Sequence, residues 1–169
     1  IKNISILSNK AYCEDAFNLI RTQGSIKSAI IQNSLSDGLD LDFSKIKISQ
    51  LNISNSNNDC IDMSYGEYEI SDTFLNNCGD KGISIGEKSK VSINSASIDN
   101  AIYGIVSKDS SKAFIKNSKI SNIKYCLAAY RKKQEFSGSV IDFNNLSCDN
   151  YFKIFQIDEY SLIKNDNKK

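Results

Sequence analysis

Residues 37–65 read DGLDLDFSKIKISQLNISNSNNDCIDMSY, which is one full repeat and the start of the next. The opening Asp37-Gly38-Leu39-Asp40-Leu41 is matched 22 residues later by Asp59-Cys60-Ile61-Asp62-Met63. In both copies a small residue precedes an apolar one, and polar and apolar residues then alternate. A period of two is typical of a β-strand with one buried face. The stretch therefore predicts short strands that recur at a fixed interval.

The same pattern continues along most of the chain. A small residue followed by a large apolar one recurs every 22 residues, at Ala16-Phe17, Gly38-Leu39, Cys60-Ile61, Gly82-Ile83, Gly104-Ile105 and Cys126-Leu127. Two further apolar columns keep this period with small slips: Ile26, Ile48, Ile70, Ile93, Ile115 and Ile141, and Ile31, Ile53, Leu75, Ile98, Ile120 and Leu146. A repeat of this length holds about three short strands and leaves no room for a useful helix.

We therefore predict an all-β fold, a right-handed parallel β-helix solenoid with about seven coils of 22 residues. A leucine-rich repeat has a similar period, but its Leu-x-x-Leu-x-Leu-x-x-Asn frame is missing here. An Asn follows the third column in five coils, at Asn33, Asn55, Asn77, Asn100 and Asn122. Stacked Asn side chains at a corner can bond to one another and tolerate a left-handed backbone. Asn94 lies outside this column, and we expect it to contribute less than Asn77.

The pattern also divides the chain. Residues 1–160 are predicted to form a single β-helix domain, and residues 161–169 a polar C-terminal tail. Because the chain begins inside a strand-like pattern, we interpret it as a fragment of a longer protein. The polar residues 132–139 lengthen one coil to 26 residues and should bulge as a surface loop. Ile154, Phe155 and Ile157 are expected to close the C-terminal end of the solenoid.

Composition excludes several classes of function. The 169 residues include no His, so there is no His-centred triad, no His-ligated zinc and no imidazole acid or base. A net charge of +1 does not favour nucleic acid as a partner, and no apolar run is long enough to span a membrane. The five cysteines are odd in number and lack a Cys-x-x-Cys pair. We expect them to be buried free thiols.

Outward positions of the first strand in each coil carry most of the chemistry. The period brings together four carboxylates, here called the acidic patch: Asp37, Asp40, Asp59 and Asp62. Like charges stacked on neighbouring strands repel, so something should offset them. Three alternatives can offset this repulsion: a Ca²⁺ ion held by Asp40 and Asp62, the neighbouring Lys81, or raised carboxyl pKa values. The aspartates can also simply cap turns and keep the solenoid soluble.

Further along this face the residues become basic and aromatic. Together with Asp40 and Asp62, six of them are candidates for binding a neutral or anionic polysaccharide: Lys81, Tyr103, Lys108, Tyr125, Tyr130 and Arg131. Aromatic rings can stack on sugars, and cations can pair with carboxylates or sulfates. Each residue alone is an ordinary surface residue, and only the shared column makes them a candidate groove.

The period, the Asn column and the recurring Asp-small-apolar strand resemble the pectin-lyase-like superfamily. Its polygalacturonase-type hydrolases carry Asn-Thr-Asp, Asp-Asp-Cys and Gly-His-Gly-apolar-Ser-Ile-Gly on successive coils. The matching segments here are Leu35-Ser36-Asp37-Gly38, Asn58-Asp59-Cys60-Ile61 and Asp80-Lys81-Gly82-Ile83-Ser84-Ile85-Gly86. The resemblance implies that Asp37 and Asp59 are catalytic carboxylates. Asn58 replaces the proton donor of that family and Lys81 its His, so a hydrolase of that kind would be weak or inactive.

The chain is also similar to bacterial β-helix segments, some of them joined to CotH-like domains. The similar residues are 82–89, 107–111 and 129–133. This resemblance implies a secreted or cell-surface location. We expect a polysaccharide-binding module that is catalytically weak or inactive. The alternatives are an active lyase, epimerase or hydrolase, and a structural segment of a stalk or fibre.

Overall fold

The computed structural model describes residues 1–7 and 13–166 and is a parallel β-solenoid of about seven turns. Strands make up 71% of it, and the described residues contain no helix. None of them therefore forms a helix that could cross a membrane. The strands are β1 (Asn3–Leu7), β2 (Phe17–Ile20), β3 (Gln23–Ile26), β4 (Ser28–Gln32), β5 (Leu39–Asp42), β6 (Lys45–Ile48), β7 (Leu51–Ser56), β8 (Ile61–Ser64), β9 (Glu67–Cys78), β10 (Lys81–Gly86), β11 (Lys90–Lys108), β12 (Lys112–Tyr130), β13 (Val140–Ile157) and β14 (Leu162–Asn165).

Each turn contributes to three faces of the solenoid. The first face contains β2, β5, β8, β10 and the C-terminal parts of β11, β12 and β13. The second contains β3, β6, β14 and the N-terminal parts of β9, β11, β12 and β13. The third contains β1, β4, β7, the C-terminal part of β9 and the middle parts of β11, β12 and β13. All these pairings are parallel, which confirms the predicted architecture.

The core is built from columns of stacked apolar side chains. Leu39, Ile61, Ile83, Ile105 and Leu127 are in register on the first face and are fully buried. A small residue precedes each of them because the neighbouring coil passes close by. A Cβ atom added to Gly104 would lie 2.6 Å from the carbonyl oxygen of Cys126. The recurring pair of a small and a large residue thus reflects backbone spacing as well as burial.

The insertion is longer than the sequence pattern indicates. Ile115 pairs with Phe143, and Ala113 pairs with Ile141. On the third face Ile120 pairs with Cys148, whereas Leu146 pairs with Ser118. Equivalent Asn residues across this coil are 28 positions apart, so the expected 26 is corrected to 28. The alternating pattern allowed this error because a shift of two residues keeps the same side of a strand inward.

Two Asn ladders run along the corners of the solenoid. Between the third and first faces, Asn55 donates to Asn33 (3.0 Å), Asn77 to Asn55 (2.8 Å) and Asn100 to Asn77 (3.1 Å). Asn122 donates instead to Asp99, and Asn150 donates to Asn122. These Asn residues have φ between 50° and 63°. The predicted ladder is confirmed, with one break, and it extends to Asn150.

The second ladder corrects the expectation for Asn94. Asn117 donates to Asn94 (3.0 Å) and Asn145 donates to Asn117 (2.9 Å), at the corner between the second and third faces. Asn94 is thus part of a ladder of its own. The period did not reveal this ladder, because the left-handed corner position is occupied by Asn117 and Asn145 in two coils but by Ser95 in the coil of Asn94, which lies one residue earlier.

The cysteines also differ from expectation. Cys60 is bonded to Cys78 and Cys126 to Cys148, while Cys13 is free and exposed. The prediction of buried free thiols is therefore wrong: four of the five cysteines form disulfides, and Cys13 is free but exposed. The solenoid brings the start of the first face close to the third face, with Cα atoms 5.3 and 6.1 Å apart in the two pairs. Spacing in the sequence does not show this proximity.

Phe155 lies at the C-terminal end, where it continues the column of Leu127 and packs against Phe143, with ring centroids 5.9 Å apart. Phe152, Ile154, Phe155 and Ile157 are nevertheless exposed, so the expected closure of this end is partial. The strand β14 pairs with β13, which carries the solenoid past residue 160 into the segment expected to be a polar tail. Ile163 explains this, because it pairs with Ile141 and packs against the core. Residues 167–169 lie outside the described residues.

Replacing Ile83 by Asp should destabilise the fold by roughly 4 kcal/mol, because it places an unpaired charge in the dry core. The matched control is Ser92→Asp, at an exposed position of the second face. Urea unfolding of both variants measures the difference. A midpoint for Ile83→Asp equal to that of the control would contradict the assigned register.

Replacing Asn77 by Ala should cost about 1–2 kcal/mol, because two hydrogen bonds are lost and Ala must adopt a positive φ. The control is Asn52→Ala, at an exposed position on the third face outside both ladders. Thermal melts compare the two variants. Equal melting temperatures would show that the ladder adds nothing to stability.

Candidate functional site

The outward row of the first face is open at one end and covered at the other. Asn18 is exposed, and Asp40 and Asp62 are half-buried, whereas Ser84, Val106 and Ala128 are fully buried. The residues of this row are in register on adjacent coils. Asn18 Nδ2 donates to Asp40 Oδ2 at 2.6 Å. Solvent therefore reaches the row around Asp40 and Asp62.

The column at the start of this face is an aspartate ladder. Asp15 Oδ1 accepts from the backbone N–H of Asp37, Asp37 Oδ1 from that of Asp59, and Asp59 Oδ1 from that of Lys81. Asp37 Oδ1 also accepts from Asn58 Nδ2. Each carboxylate thus satisfies the backbone of the following coil. This is a structural role for Asp37 and Asp59, the two residues predicted to be catalytic.

Two lysines reach into the acidic patch. Lys81 Nζ lies 3.3 Å from Asp59 Oδ1 and also contacts the carboxylate of Asp80. Lys108 Nζ lies 3.9 Å from Asp62 Oδ1, and the side chain of Lys108 is only 8% exposed. The structure therefore places both lysines among the aspartates and not in a separate basic groove.

Three carboxyl groups of the patch, and that of the neighbouring Asp42, hold protons more tightly than usual. Burial, followed by the neighbouring Asp42 carboxylate, raises the pKa of Asp40 to about 7. Burial also raises the pKa of Asp59 to about 7, although Lys81 acts in the opposite direction. The pKa values of Asp37 and Asp42 are raised as well, mainly through burial. Raised pKa values are thus one of the ways in which the patch tolerates its own repulsion.

The other predicted binding residues lie apart from the open row. Tyr103 and Tyr125 stack on each other with ring centroids 4.9 Å apart. Arg131 stacks on Tyr160, 3.8 Å from the ring centroid, towards the C-terminal end. Burial raises the pKa of the half-buried Tyr130, and the Lys81 ammonium acts in the opposite direction. Tyr130 thus lies within the influence of Lys81, and Tyr103 pairs with Lys81 on the neighbouring strand.

The insertion is a surface loop, as expected, with residues 132–135 exposed, and it is also tied to the first face. Asp109 Oδ1 accepts from the backbone N–H groups of Lys132 and Lys133, at 2.7 and 2.8 Å. Lys133 Nζ lies 2.6 Å from Glu87 Oε1, and the ring of Phe136 meets that of Tyr65 edge-on at 6.3 Å. Contacts with Lys133 and Ser64 hold the pKa of Glu87 below its usual value despite burial. The expected surface loop is therefore held against one side of the row.

One polar group beside the patch lacks a partner. Ser84 is fully buried, and its Oγ is among the described buried atoms without a hydrogen bond. Ser84 pairs with Asp62 on the neighbouring strand, and because Ile83 and Ile85 point into the core, Ser84 points to the same side as Asp62. A buried hydroxyl without a partner is costly, so this position is suited to a further polar group.

Sequence reasoning missed several members of the site. Asp42 acts on Asp40, Asp80 contacts Lys81, and Glu87 acts on Asp42. Asn18, which the 22-residue period places in the same column as Asp40, donates to that carboxylate. Within residues 1–7 and 13–166 there is no group of three or more His, Cys, Asp or Glu side chains placed to hold a metal ion. The possible Ca²⁺ ligands Asp40 and Asp62 thus have no third carboxylate in place.

Comparison with known proteins gives no match to any family model, to any curated protein or to any solved structure. What is established about the class of protein is its architecture, a parallel β-solenoid with disulfides and an acidic first face.

Asp40→Asn should stabilise the protein at alkaline pH and have little effect near pH 4. A carboxyl whose pKa rises from 3.8 to about 7 on folding binds its proton more tightly in the folded state. Its contribution to stability is therefore full below about pH 4 and is lost as the pH rises towards 7. The Asn side chain of the variant does not ionise, so the variant does not lose this stability as the pH rises. Thermal melts between about pH 4 and 8 measure the change.

The control for this series is Asp142→Asn, on the second face outside the patch. A stability difference between Asp40→Asn and the wild type that stays constant across the pH range would contradict the raised pKa of Asp40.

Proposed function

We propose that the chain is a polysaccharide-binding module of an exported or cell-surface protein, and that the sugar chain lies across the acidic patch. The observation that carries this proposal is the row of Asn18, Asp40 and Asp62, in register on adjacent coils and open to solvent. Neighbouring strands lie about 4.8 Å apart, so the row repeats hydrogen-bonding groups at a regular interval. A polymer of sugar rings offers hydroxyl donors that also repeat, and hydrogen bonds from hydroxyls to carboxylates are among the strong ones.

Two further features support this proposal. Both disulfides, Cys60–Cys78 and Cys126–Cys148, are of a kind that persists in oxidising compartments, which favours an exported protein. The motifs around Asp37, Asp59 and Lys81 resemble those of pectin-lyase-like proteins, whose members act on sugar chains. The solenoid itself supplies a rigid surface, because every coil of the first face is hydrogen-bonded to its neighbours.

An active carbohydrate enzyme is a second candidate, and one observation favours it. The pKa of Asp40 is raised to about 7, which is the property that a general acid at neutral pH needs. Asp59 is less suited to catalysis, because Lys81 and a backbone N–H both bind its Oδ1. Binding without cleavage is therefore the function that the geometry supports best.

The test is a glycan array with the wild type and with the double variant Asp40→Asn/Asp62→Asn. We expect the double variant to lose about tenfold or more in affinity, because each carboxylate is replaced by a weaker acceptor. The control is Glu67→Gln/Glu69→Gln, which removes two carboxylates from the second face. Melting curves confirm that all three proteins are folded.

The array is repeated with Ca²⁺ and with chelator, and any bound glycan is then incubated with the protein and its products are separated. We expect binding to be unchanged by chelator and no product to form. Retention of every glycan by the Asp40/Asp62 variant, or no retained glycan at all, would overturn the proposal. A product that appears with the wild type and not with Asp40→Asn would establish the enzyme instead.

A further inference from the structure

A column of cationic and aromatic side chains lies at the corner between the first and second faces. Arg21, Phe43 and Tyr65 occupy equivalent positions on adjacent coils, since the backbone N–H of each donates to the following coil, and Lys88 stands at the same corner of the next coil. The rings of Phe43 and Tyr65 are stacked, with centroids 4.7 Å apart. The guanidinium of Arg21 lies 5.5 Å from the ring centroid of Phe43. These four residues are here called the aromatic corner.

The backbone of the aromatic corner is unfavourable for the side chains that it carries. Phe43 and Tyr65 have φ of 50° and 51°, a left-handed conformation that bulky residues rarely adopt. In the two ladders, Asn residues hold such left-handed corner positions. The stacked rings also stay in solvent, with Phe43 50% and Tyr65 41% exposed. Backbone strain that presents large apolar side chains to solvent is a feature of binding sites.

The aromatic corner forms one side of a groove of about 540 Å³. The charged side chains that line this groove are four cations and one carboxylate: Arg21, Lys45, Lys88, Lys90 and Glu67. Lys45 Nζ lies 3.0 Å from Glu67 Oε2, and Lys45 together with Lys90 holds the pKa of Glu67 below its usual value. The groove is therefore positively charged even after the pair of Lys45 and Glu67 is counted.

The groove continues along the second face. Its outward column is formed by residues in register on adjacent coils: Gln23, Lys45, Glu67 and Lys90. The same four residues line a second groove, which extends to the exposed ring of Phe114. Lys45 and Lys90 are two strands apart, about 10 Å, which is close to the length of a disaccharide. An elongated groove of this kind suits a polymer whose negative groups recur at a regular interval.

We propose that this groove is a second binding site, which takes an anionic polysaccharide of the uronic acid class. The sugar carboxylates pair with Arg21, Lys88 and Lys90. The C–H groups of the sugar rings pack on the exposed surface of Phe43 and Tyr65. This inference goes beyond the proposed function, because it concerns another face and a ligand of the opposite charge preference.

Single-stranded nucleic acid is also anionic, but it fits this groove less well. Base stacking needs open ring faces. Phe43 and Tyr65 cover each other, and Arg21 lies over the ring of Phe43. The groove therefore offers apolar contact and positive charge, and not a platform on which successive bases can stack.

The experiment uses short oligomers of galacturonic acid and of glucuronic acid, each compared by calorimetry at about pH 7 with its fully methyl-esterified form. The ester keeps the sugar and the linkage and removes the charge. We expect at least one of the two acids to bind about tenfold more tightly than its ester, and this binding to weaken as salt is added. Single-stranded oligothymidylate of equal charge should bind more weakly than that acid.

Two pairs of substitutions test whether the binding depends on the groove. Arg21→Gln/Lys88→Gln should weaken the acid oligomer about tenfold, because two charge-assisted hydrogen bonds are lost. The matched control is Lys116→Gln/Lys124→Gln, which removes the same charge from two exposed positions outside the groove. The control should bind the acid oligomer as the wild type does.

Phe43→Asn/Tyr65→Asn tests whether the rings contribute to binding or only hold the corner. Asn tolerates the left-handed backbone, so the melting temperature of this variant should be equal to that of the wild type or higher. Its affinity for the acid oligomer should nevertheless fall several-fold. A lower melting temperature with unchanged affinity would give the rings a structural role alone and would overturn the proposed site.

Equal binding of the acids and their esters, or an equal loss of affinity in the groove variant and its control, would also contradict this inference. Oligothymidylate that binds as tightly as the acid oligomer would replace the sugar by nucleic acid. Asp40→Asn/Asp62→Asn should leave the acid oligomers bound, because the acidic patch lies on the first face. Failure of the proposed function and failure of this second site are therefore distinguishable.

Discussion

Parallel stacking of coils is the constraint on which the rest of this structure depends. Each coil takes its hydrogen bonds from the next, so equivalent residues lie one above another in every face. Whatever a repeat carries at one position is therefore multiplied along the solenoid. Apolar residues gain from this, because stacked Leu39, Ile61 and Ile83 exclude water together. Corner Asn residues gain as well, because each amide can donate to the next.

The same constraint is unfavourable for charge. The aspartates of the first face are stacked by the register that buries Leu39 and Ile61, so their repulsion cannot be relieved without shifting the strands. The protein offsets it in three ways: backbone N–H groups donate to Asp15, Asp37 and Asp59, lysines reach Asp59 and Asp62, and the pKa of Asp40 is raised. The second face shows the other solution, in which Lys45 and Lys47 pair directly with Glu67 and Glu69 on the next coil. The two faces therefore compensate stacked charge in different ways.

Most of the fold could be predicted from the sequence, because a solenoid turns local periodicity into tertiary structure. The buried columns and the ladder of Asn33, Asn55 and Asn77 follow from the period alone. The length of the insertion could not be obtained in this way, since a shift of two residues preserves alternation and only pairing distinguishes Phe143 from Ile141. The disulfides were missed for a related reason. Cys60 and Cys78 belong to different faces, and the path around the coil, not the period, brings them together.

The four aspartates of the acidic patch were predictable from the sequence, but the directions of the long side chains around them were not. The period brought Asp40 and Asp62 together correctly, yet it could not show that Lys108 extends over Gly86 towards Asp62 or that Arg131 turns to Tyr160. Long side chains reach across more than one coil, so their position in a column does not fix their contacts. The insertion makes the two sides of the row unequal, because residues 132–139 pack beside one of them through contacts with Glu87 and Tyr65. The outward row of the first face thus has one acidic end that solvent reaches, at the coils of Asp40 and Asp62, and one covered end.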